Sequence, residues 1–391
     1  MKRLPLDGVL VADFSRVLAG PLCTELLADE GARVIKVEEP RFGDETRRWG
    51  PPFQGDFSTY FLSVNRNKES IALDLRSEEG RQFARALIER ADVVVDNFLP
   101  TQRAALGLEA VPATKIHCSI GGFDPETAEA NTPGYDLLAQ AGAGLMSITG
   151  DAEPTKIGVA LADVLTAHYA HGAICAALYA REQTGEGARL EVSLFGATLA
   201  SLVNVAQAAL TTGREASRYG NAHPSIVPYQ LFHGQDRPFA IGGGTDRHFT
   251  QLCVRVIGRP ELATDERFAT NAARVTNRDI LVPLLESIFR TAGAAQWVGL
   301  CREANIPASL VRGVLEALRS EEAKPLLGGA GDFETVAHPV RFNGERLPVR
   351  SVPPRLGEHS AAVKEELSGP PRTPERTEPR STRTRRSRGR R

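Results

Sequence analysis

Short apolar runs separated by helix-patterned stretches leave residues 9–120 few folds to choose from. Val93-Val94-Val95 and Ile116-His117-Cys118-Ser119-Ile120 read as continuous apolar strands, which suit a parallel sheet covered on both faces. Val9 to Phe14, Val34 to Glu38 and Ile71 to Leu75 have the same texture and add three more strands. Between them, Pro21 to about Glu30 is patterned as an amphipathic helix. Ser77 to Ala91 is another, with Ser77 as cap and Glu79 in its first turn. Strand and helix in alternation predict an α/β, doubly wound, Rossmann-like domain. No G-x-G-x-x-G follows any of these strands. Ala19-Gly20-Pro21 is the nearest approach and is a weak signal for a dinucleotide cofactor.

Farther along, Val164 to about Arg181 forms a long alanine-rich helix that stops at Gln183-Thr184-Gly185. Ala188 to Phe195 reads as a further strand of the large domain, and Ala197 to Thr212 as one helix crossing between domains. From about Gly220 the texture changes. The strand Pro238 to Ile241 and helices around Phe249–Ile257, Asp279–Thr291 and Ala295–Ala304 suggest a smaller α/β or α+β domain. The expected division is 1–195 for the large domain, 196–221 for a linker helix and 222–325 for the small domain. Residues 326–368 would then return to the large domain, and 369–391 would be a tail.

The chemistry concentrates at the start of the long helix, in Lys156-Ile157-Gly158-Val159-Ala160-Leu161-Ala162-Asp163. A carboxylate there meets free backbone N–H groups and the positive end of the helix dipole, which favour its ionised form. An ionised, fixed carboxylate is a nucleophile toward an activated acyl group. On the fragment alone a plain N-capping aspartate is the commoner reading. The surroundings separate the two readings. In order along the chain stand Leu4-Pro5-Leu6-Asp7-Gly8 leading to Asp13-Phe14-Ser15-Arg16-Val17-Leu18-Ala19-Gly20-Pro21, Val34-Ile35-Lys36-Val37-Glu38 and Gly43-Asp44-Glu45-Thr46-Arg47. Asn65-Arg66-Asn67-Lys68 with Leu73-Asp74-Leu75, Val95-Asp96-Asn97-Phe98, Pro133-Gly134-Tyr135-Asp136 and Met146-Ser147-Ile148-Thr149-Gly150 follow.

Taken together, these segments resemble the class III CoA-transferase family, which includes formyl-CoA and carnitine CoA-transferases and the α-methylacyl-CoA racemases. The resemblance spans roughly residues 4–360. It implies that Asp163 is the catalytic nucleophile and that the C-terminal segment completes the large domain. It also implies that two subunits thread through each other as a homodimer. Coenzyme A would enter as a substrate, with no tightly bound cofactor and no metal. By the same resemblance, Val17, Leu18, Leu73, Arg76, Asn97 and Phe98 match CoA-contacting positions, with Leu73 and Phe98 flanking the adenine. Asn97 and Tyr135 would lie nearer the thioester. Two arginines of formyl-CoA transferase align with Glu39 and Ala105 here, so Arg41 and Arg103 are the candidate substitutes for holding phosphate. The glycine-rich lid of that relative is missing after Gly220-Asn221. In the racemases a histidine stands where this chain has Tyr135. Tyrosine, with a reference pKa of about 10, is a poor base at neutral pH. Transfer of CoA from an acyl-CoA to a small carboxylic acid is therefore expected over α-proton exchange.

Charge and cysteine usage set further bounds. Cys23, Cys118, Cys175, Cys253 and Cys301 are scattered without CxxC or Cys/His ligand spacing, which argues for reduced thiols in a cytoplasmic protein and against a zinc site. No apolar run reaches the length of about 20 residues that spans a bilayer, so no membrane partner is expected. Residues 369–391 carry nine arginines and two glutamates, so +7 against −8 for the rest of a chain whose net charge is −1. Such a segment should be unstructured. A noncatalytic protein that recruits nucleic acid through it is the distant alternative, disfavoured by the intact Asp163 segment.

Overall fold

A computed structural model describes residues 3–369, so the arginine-rich stretch beyond Gly369 lies outside the described residues. Six strands form one parallel sheet. They are β1 (Leu10–Asp13), β2 (Arg33–Glu38), β3 (Lys68–Ala72), β4 (Val93–Asp96), β5 (Ile116–Gly121) and β6 (Ala188–Ser193), ordered β3-β2-β1-β4-β5-β6. Residue parity shows that both faces are covered. Val11, Val34, Val93 and Val95 pack with helices α1 (Ala19–Asp29) and α5 (Leu161–Thr184) on one face. Ala12, Ile35 and Val94 pack on the other with α2 (Glu78–Arg90) and with Val363 and Leu367. Neighbouring residues thus belong to opposite cores, which is why these strands read as unbroken apolar runs.

Helix α5 buries Ala162, Thr166, Ala167, Ala170, Ile174 and Ala177. This spacing draws one stripe along a helix, and the small side chains let α5 approach α1 closely. Gly185 ends the helix in the left-handed conformation, as the Gln-Thr-Gly stop predicts. Ser77 caps α2 by accepting the Gly80 N–H at 2.9 Å.

Two elements differ from the sequence reading. The third strand is Lys68–Ala72 rather than Ile71–Leu75, because its polar residues Lys68 and Ser70 are buried and paired. Lys68 meets Asp13 at 3.3 Å, and Ser70 donates to Glu38. The stretch from Ala197 to Thr212 is two helices, α6 (Leu194–Ser201) and α7 (Val203–Thr212), bent by 79°. Thr198 and Ser201 hydroxyls bond back to the carbonyls of Leu194 and Thr198, which ends α6 without a glycine or proline.

A second unit follows around a three-stranded antiparallel sheet, ordered β9-β8-β7, of β7 (Tyr229–His233), β8 (Pro238–Gly242) and β9 (Ala308–Leu310). Phe232, Phe239, Phe289 and Trp297 form its aromatic centre. Beyond it the chain runs back along the parallel sheet. The Arg350 N–H donates to Asn67 at 2.7 Å and the His359 N–H to Ser70 at 2.9 Å. Arg33 pairs with Glu366 at 2.9 Å, seating the last helix (Ser360–Ser368) over the second core. Among the described residues no single helix is long and apolar enough to cross a membrane.

Candidate active site

In a sheet ordered β3-β2-β1-β4-β5-β6, the chain turns outward in opposite directions from β1 and β4. Ligands of open parallel sheets bind at the carboxyl ends of such strands. Here Arg16 and Val17 leave β1 while Asn97 and Phe98 leave β4, and the Asn97 amide ties the two exits together. Its Oδ1 accepts the Arg16 N–H at 3.0 Å and its Nδ2 donates to the Arg16 carbonyl at 2.7 Å. Val17 is held at φ 71°, which is uncommon for a β-branched residue and stores roughly 1–3 kcal/mol.

What holds it is a buried charge network. The Val17 N–H donates to Asp44, whose carboxylate pairs with the fully buried Lys36 at 2.9 Å. Lys36 Nζ also donates to the Ser15 carbonyl at 2.8 Å. Burial opposes ionisation of Asp13, but Lys68, Lys36 and the hydroxyls of Ser15 and Thr24 outweigh it and hold its carboxyl below the usual range. The start of α1 then presses against this loop. A Cβ on Gly20 would lie 2.2 Å from the Ser15 Cβ, so only glycine fits there.

A second close approach shapes the opposite wall. Gly122, after β5, and Gly134 pack backbone to backbone, and a Cβ on Gly134 would meet the Gly122 Cα at 2.2 Å. This crossing sets Tyr135 and Asp136 at the head of helix α4 (Asp136–Gly142). Asp136 Oδ1 accepts the Ala162 N–H at 2.9 Å, and Gln140 Oε1 accepts the Ile157 N–H at 2.9 Å. The segment leading into α5 is therefore pinned from α4, and the cap of α5 comes from Asp136.

Asp163 is consequently free of the capping role that its position suggests. It is the third residue of α5, and the N–H that faces its carboxylate belongs to Ala19, the first residue of α1. Burial, then the neighbouring Asp136 charge, pushes its carboxyl up to about 7 against the pull of the Ala19 N–H. The local-dipole expectation of a readily ionised aspartate is thus corrected: desolvation outweighs the helix start. Tyr60 senses the same charges. Burial first, then Asp163, Asp136 and Asp44, raise its hydroxyl to about 12.

These pieces enclose a cleft of about 540 Å³. Val17, Asn97, Phe98, Arg103, Tyr135 and Asp163 all line it, so the structure brings together six residues that the sequence reading singled out. Leu18, Leu73 and Arg76 do not line it. Leu18 is buried at the start of α1, and Leu73 is 3% exposed within the second core, with no free face to offer an adenine. Arg76 stands in the exposed turn after β3. Arg103 is already engaged, with Nε on Asp96 at 3.1 Å and Nη2 on the Phe98 carbonyl at 3.3 Å. Its paired charge lies in the cleft wall. Arg41 and Arg48 stack on exposed Phe42, with 5.1 and 4.7 Å to the ring centre. The sequence reading missed Ala19, Asp136, Gln140 and Tyr60 as the surroundings of Asp163. Ala19 and Asp136 lay in segments already singled out, whereas Gln140 and Tyr60 did not.

The chain belongs to CoA-transferase family III: the family's model matches residues 6–360. It is an enzyme of that family. Over 377 residues it is 40% identical to the acetyl-CoA:oxalate CoA-transferase of Acetobacter aceti, covering 94% of this chain and 96% of that one. The human succinyl-CoA:glutarate CoA-transferase is 36% identical over 381 residues, covering 93% and 86%. Among solved structures, a CAIB/BAIF family protein from Brucella suis superposes with a TM-score of 0.85 at 39% identity, covering 93% of this chain and 100% of that one.

Proposed function

We propose that the protein moves CoA from an acyl-CoA thioester to a small carboxylic acid through covalent intermediates on Asp163. The observation that carries this is the carboxylate of Asp163 in the cleft wall, facing the N-terminus of a second helix. An Asp163 oxygen attacks the thioester carbonyl, and collapse of the adduct releases CoA thiolate and leaves a mixed anhydride. Thiolate attack on the aspartyl carbonyl then gives an enzyme-CoA thioester and frees the donor acid. An acceptor carboxylate attacks that thioester carbonyl, again expelling thiolate, which finally takes the new acyl group and restores Asp163. Each adduct carries an oxyanion that the Ala19 N–H and the α1 dipole are placed to stabilise. Arg16 Nε and Glu45 Oε2 are buried beside the cleft without partners, and a polar substrate end would satisfy them. The oxalate and glutarate in the relatives' names make small dicarboxylic acids the first class to assay.

By the same reading Val17, Asn97 and Phe98 position the pantetheine end beside Tyr135, while Arg41, Arg48 and Arg76 supply free cations for the phosphates. The division into a large domain, a small domain and a returning segment, and an interlocked homodimer, belong to this proposal. Supporting the dimer, α5 and α7 expose Tyr169, Tyr179, Val203 and Leu210, which a partner subunit would cover. The five unpaired cysteines fit a reducing, cytoplasmic setting.

The nucleophile must be ionised, and burial sets its carboxyl at about 7. Below that pH, kcat/KM should fall about tenfold per pH unit, and above it the profile should level. A pH–rate profile without this limb would show that burial does not hold the Asp163 carboxyl near 7. The alternative, α-proton exchange, would label substrate. In deuterium oxide a 2-methylacyl-CoA is expected to gain no enzyme-dependent α-deuterium, because no histidine lines the cleft among the described residues. Rapid deuterium uptake that disappears in Asp163→Ala would make the protein a racemase.

A further inference from the structure

Two turns along α5 from Asp163, three ligand-type atoms from distant parts of the chain converge on one point. His171 Nε2 lies 3.0 Å from Glu30 Oε2, Cys175 Sγ lies 3.9 Å from the same oxygen, and the sulfur and nitrogen are 3.7 Å apart. His171 and Cys175 are one helical turn apart on α5, and Glu30 closes the C-terminal end of α1. A hydrogen-bonded Cys-His-Glu relay would use both imidazole nitrogens, one toward the thiol and one toward the carboxylate. Here thiol and carboxylate meet at a single nitrogen, Nε2. Edges of 3.0–3.9 Å between donors are those of a tetrahedron around an ion with Zn–N and Zn–O near ~2.0–2.1 Å and Zn–S near ~2.3 Å.

We propose that Glu30, His171 and Cys175 bind one Zn²⁺, leaving a fourth position open to water. The set, one thiolate with one imidazole and one carboxylate, suits Zn²⁺ over the hard cations, which prefer oxygen alone. The other Glu30 oxygen, Oε1, faces His338 Nε2 at 3.9 Å. His338 Nδ1 accepts the Val340 N–H, so Nε2 carries the proton on the side that faces Glu30. The side chains of Glu30 and His171 are 10% and 19% exposed, which leaves a path for the ion. Binding displaces two protons to solvent, one from the Cys175 thiol and the one that His171 Nε2 directs at Glu30. The ion lies about 12 Å along the helix from Asp163, eight residues at 1.5 Å each, so it takes no part in acyl transfer. Instead it fastens α1, α5 and the returning segment around His338.

The test uses the untagged full chain, stripped with chelator and dialysed against Zn²⁺ and, separately, Co²⁺. One ion per chain is expected, with a near-ultraviolet thiolate-to-Co²⁺ absorption band and a higher melting temperature. Cys175→Ser should lose the band. Should Cys175→Ser fail to fold, X-ray absorption of the zinc-loaded wild-type protein decides the matter. One sulfur neighbour near ~2.3 Å is expected. No stoichiometric binding by the wild-type chain, or an ion surrounded by nitrogen and oxygen only, would overturn the proposal.

Discussion

Asp163→Asn is expected to lower CoA transfer by on the order of 10⁴-fold or more, because losing a covalent nucleophile removes the pathway and leaves only binding. The same change should stabilise the protein at neutral pH and above. Burial holds this carboxyl at about 7 in the folded chain, against 3.8 when unperturbed. The folded state therefore favours the protonated form, and its advantage is present below pH 4 and lost as pH rises through 7. Asparagine carries no such penalty. Above pH 7 the variant should gain roughly 2–4 kcal/mol, the upper figure reduced for the partial exposure of the site, and near pH 4 it should gain almost nothing. Urea unfolding of both proteins at these two pH values measures the difference. A gain that is equal at both would place its origin elsewhere.

Lys36→Met should destabilise the protein by about 3–5 kcal/mol, since a buried charge pair broken on one side leaves the other charge uncompensated. Lys36 and Asp44 are both fully buried, and Asp13 also depends on Lys36 to stay ionised. Asp44 carries the consequence to the cleft. Its carboxyl stays below the usual range because Lys36 and the Thr46 contacts overcome its burial, and it holds Val17 in its strained conformation. The measurement is urea unfolding at pH 7, and a loss under 1 kcal/mol would mean that the loop is held by packing alone.

The contrast between Val93–Val95 and Lys68–Ala72 shows what the sequence made legible. Both belong to the same sheet, the first at its centre and the second at its edge, yet only the first announces itself, because its side chains meet apolar partners on both faces. Lys68 and Ser70 are buried against partners 55 and 32 residues away, and no local pattern reveals such pairing. The same limit applies at the site. That a carboxylate opens a long helix was visible at Asp163. The N–H that faces it sits 144 positions earlier, at Ala19, and the residue that caps α5 is Asp136. Local reasoning therefore assigned Asp163 the wrong electrostatic surroundings while finding the right residue for the cleft. Arg103 shows the same limit, since a cation after a strand end suggests phosphate while its pairing with Asp96 has no local signal. The sequence reading found no Cys/His ligand spacing, and His171 and Cys175 gain a common neighbour only when Glu30 arrives from α1.

The central claim is that Asp163 itself carries first the acyl group and then CoA. Hydroxylamine intercepts activated aspartyl carbonyls and converts them to hydroxamates. Wild-type protein incubated with an acyl-CoA and then hydroxylamine should yield, after proteolysis and mass spectrometry, a hydroxamate on the peptide containing Asp163. Protein incubated without acyl-CoA should not. A hydroxamate on another residue, or none while CoA transfer proceeds at full rate, would contradict the account.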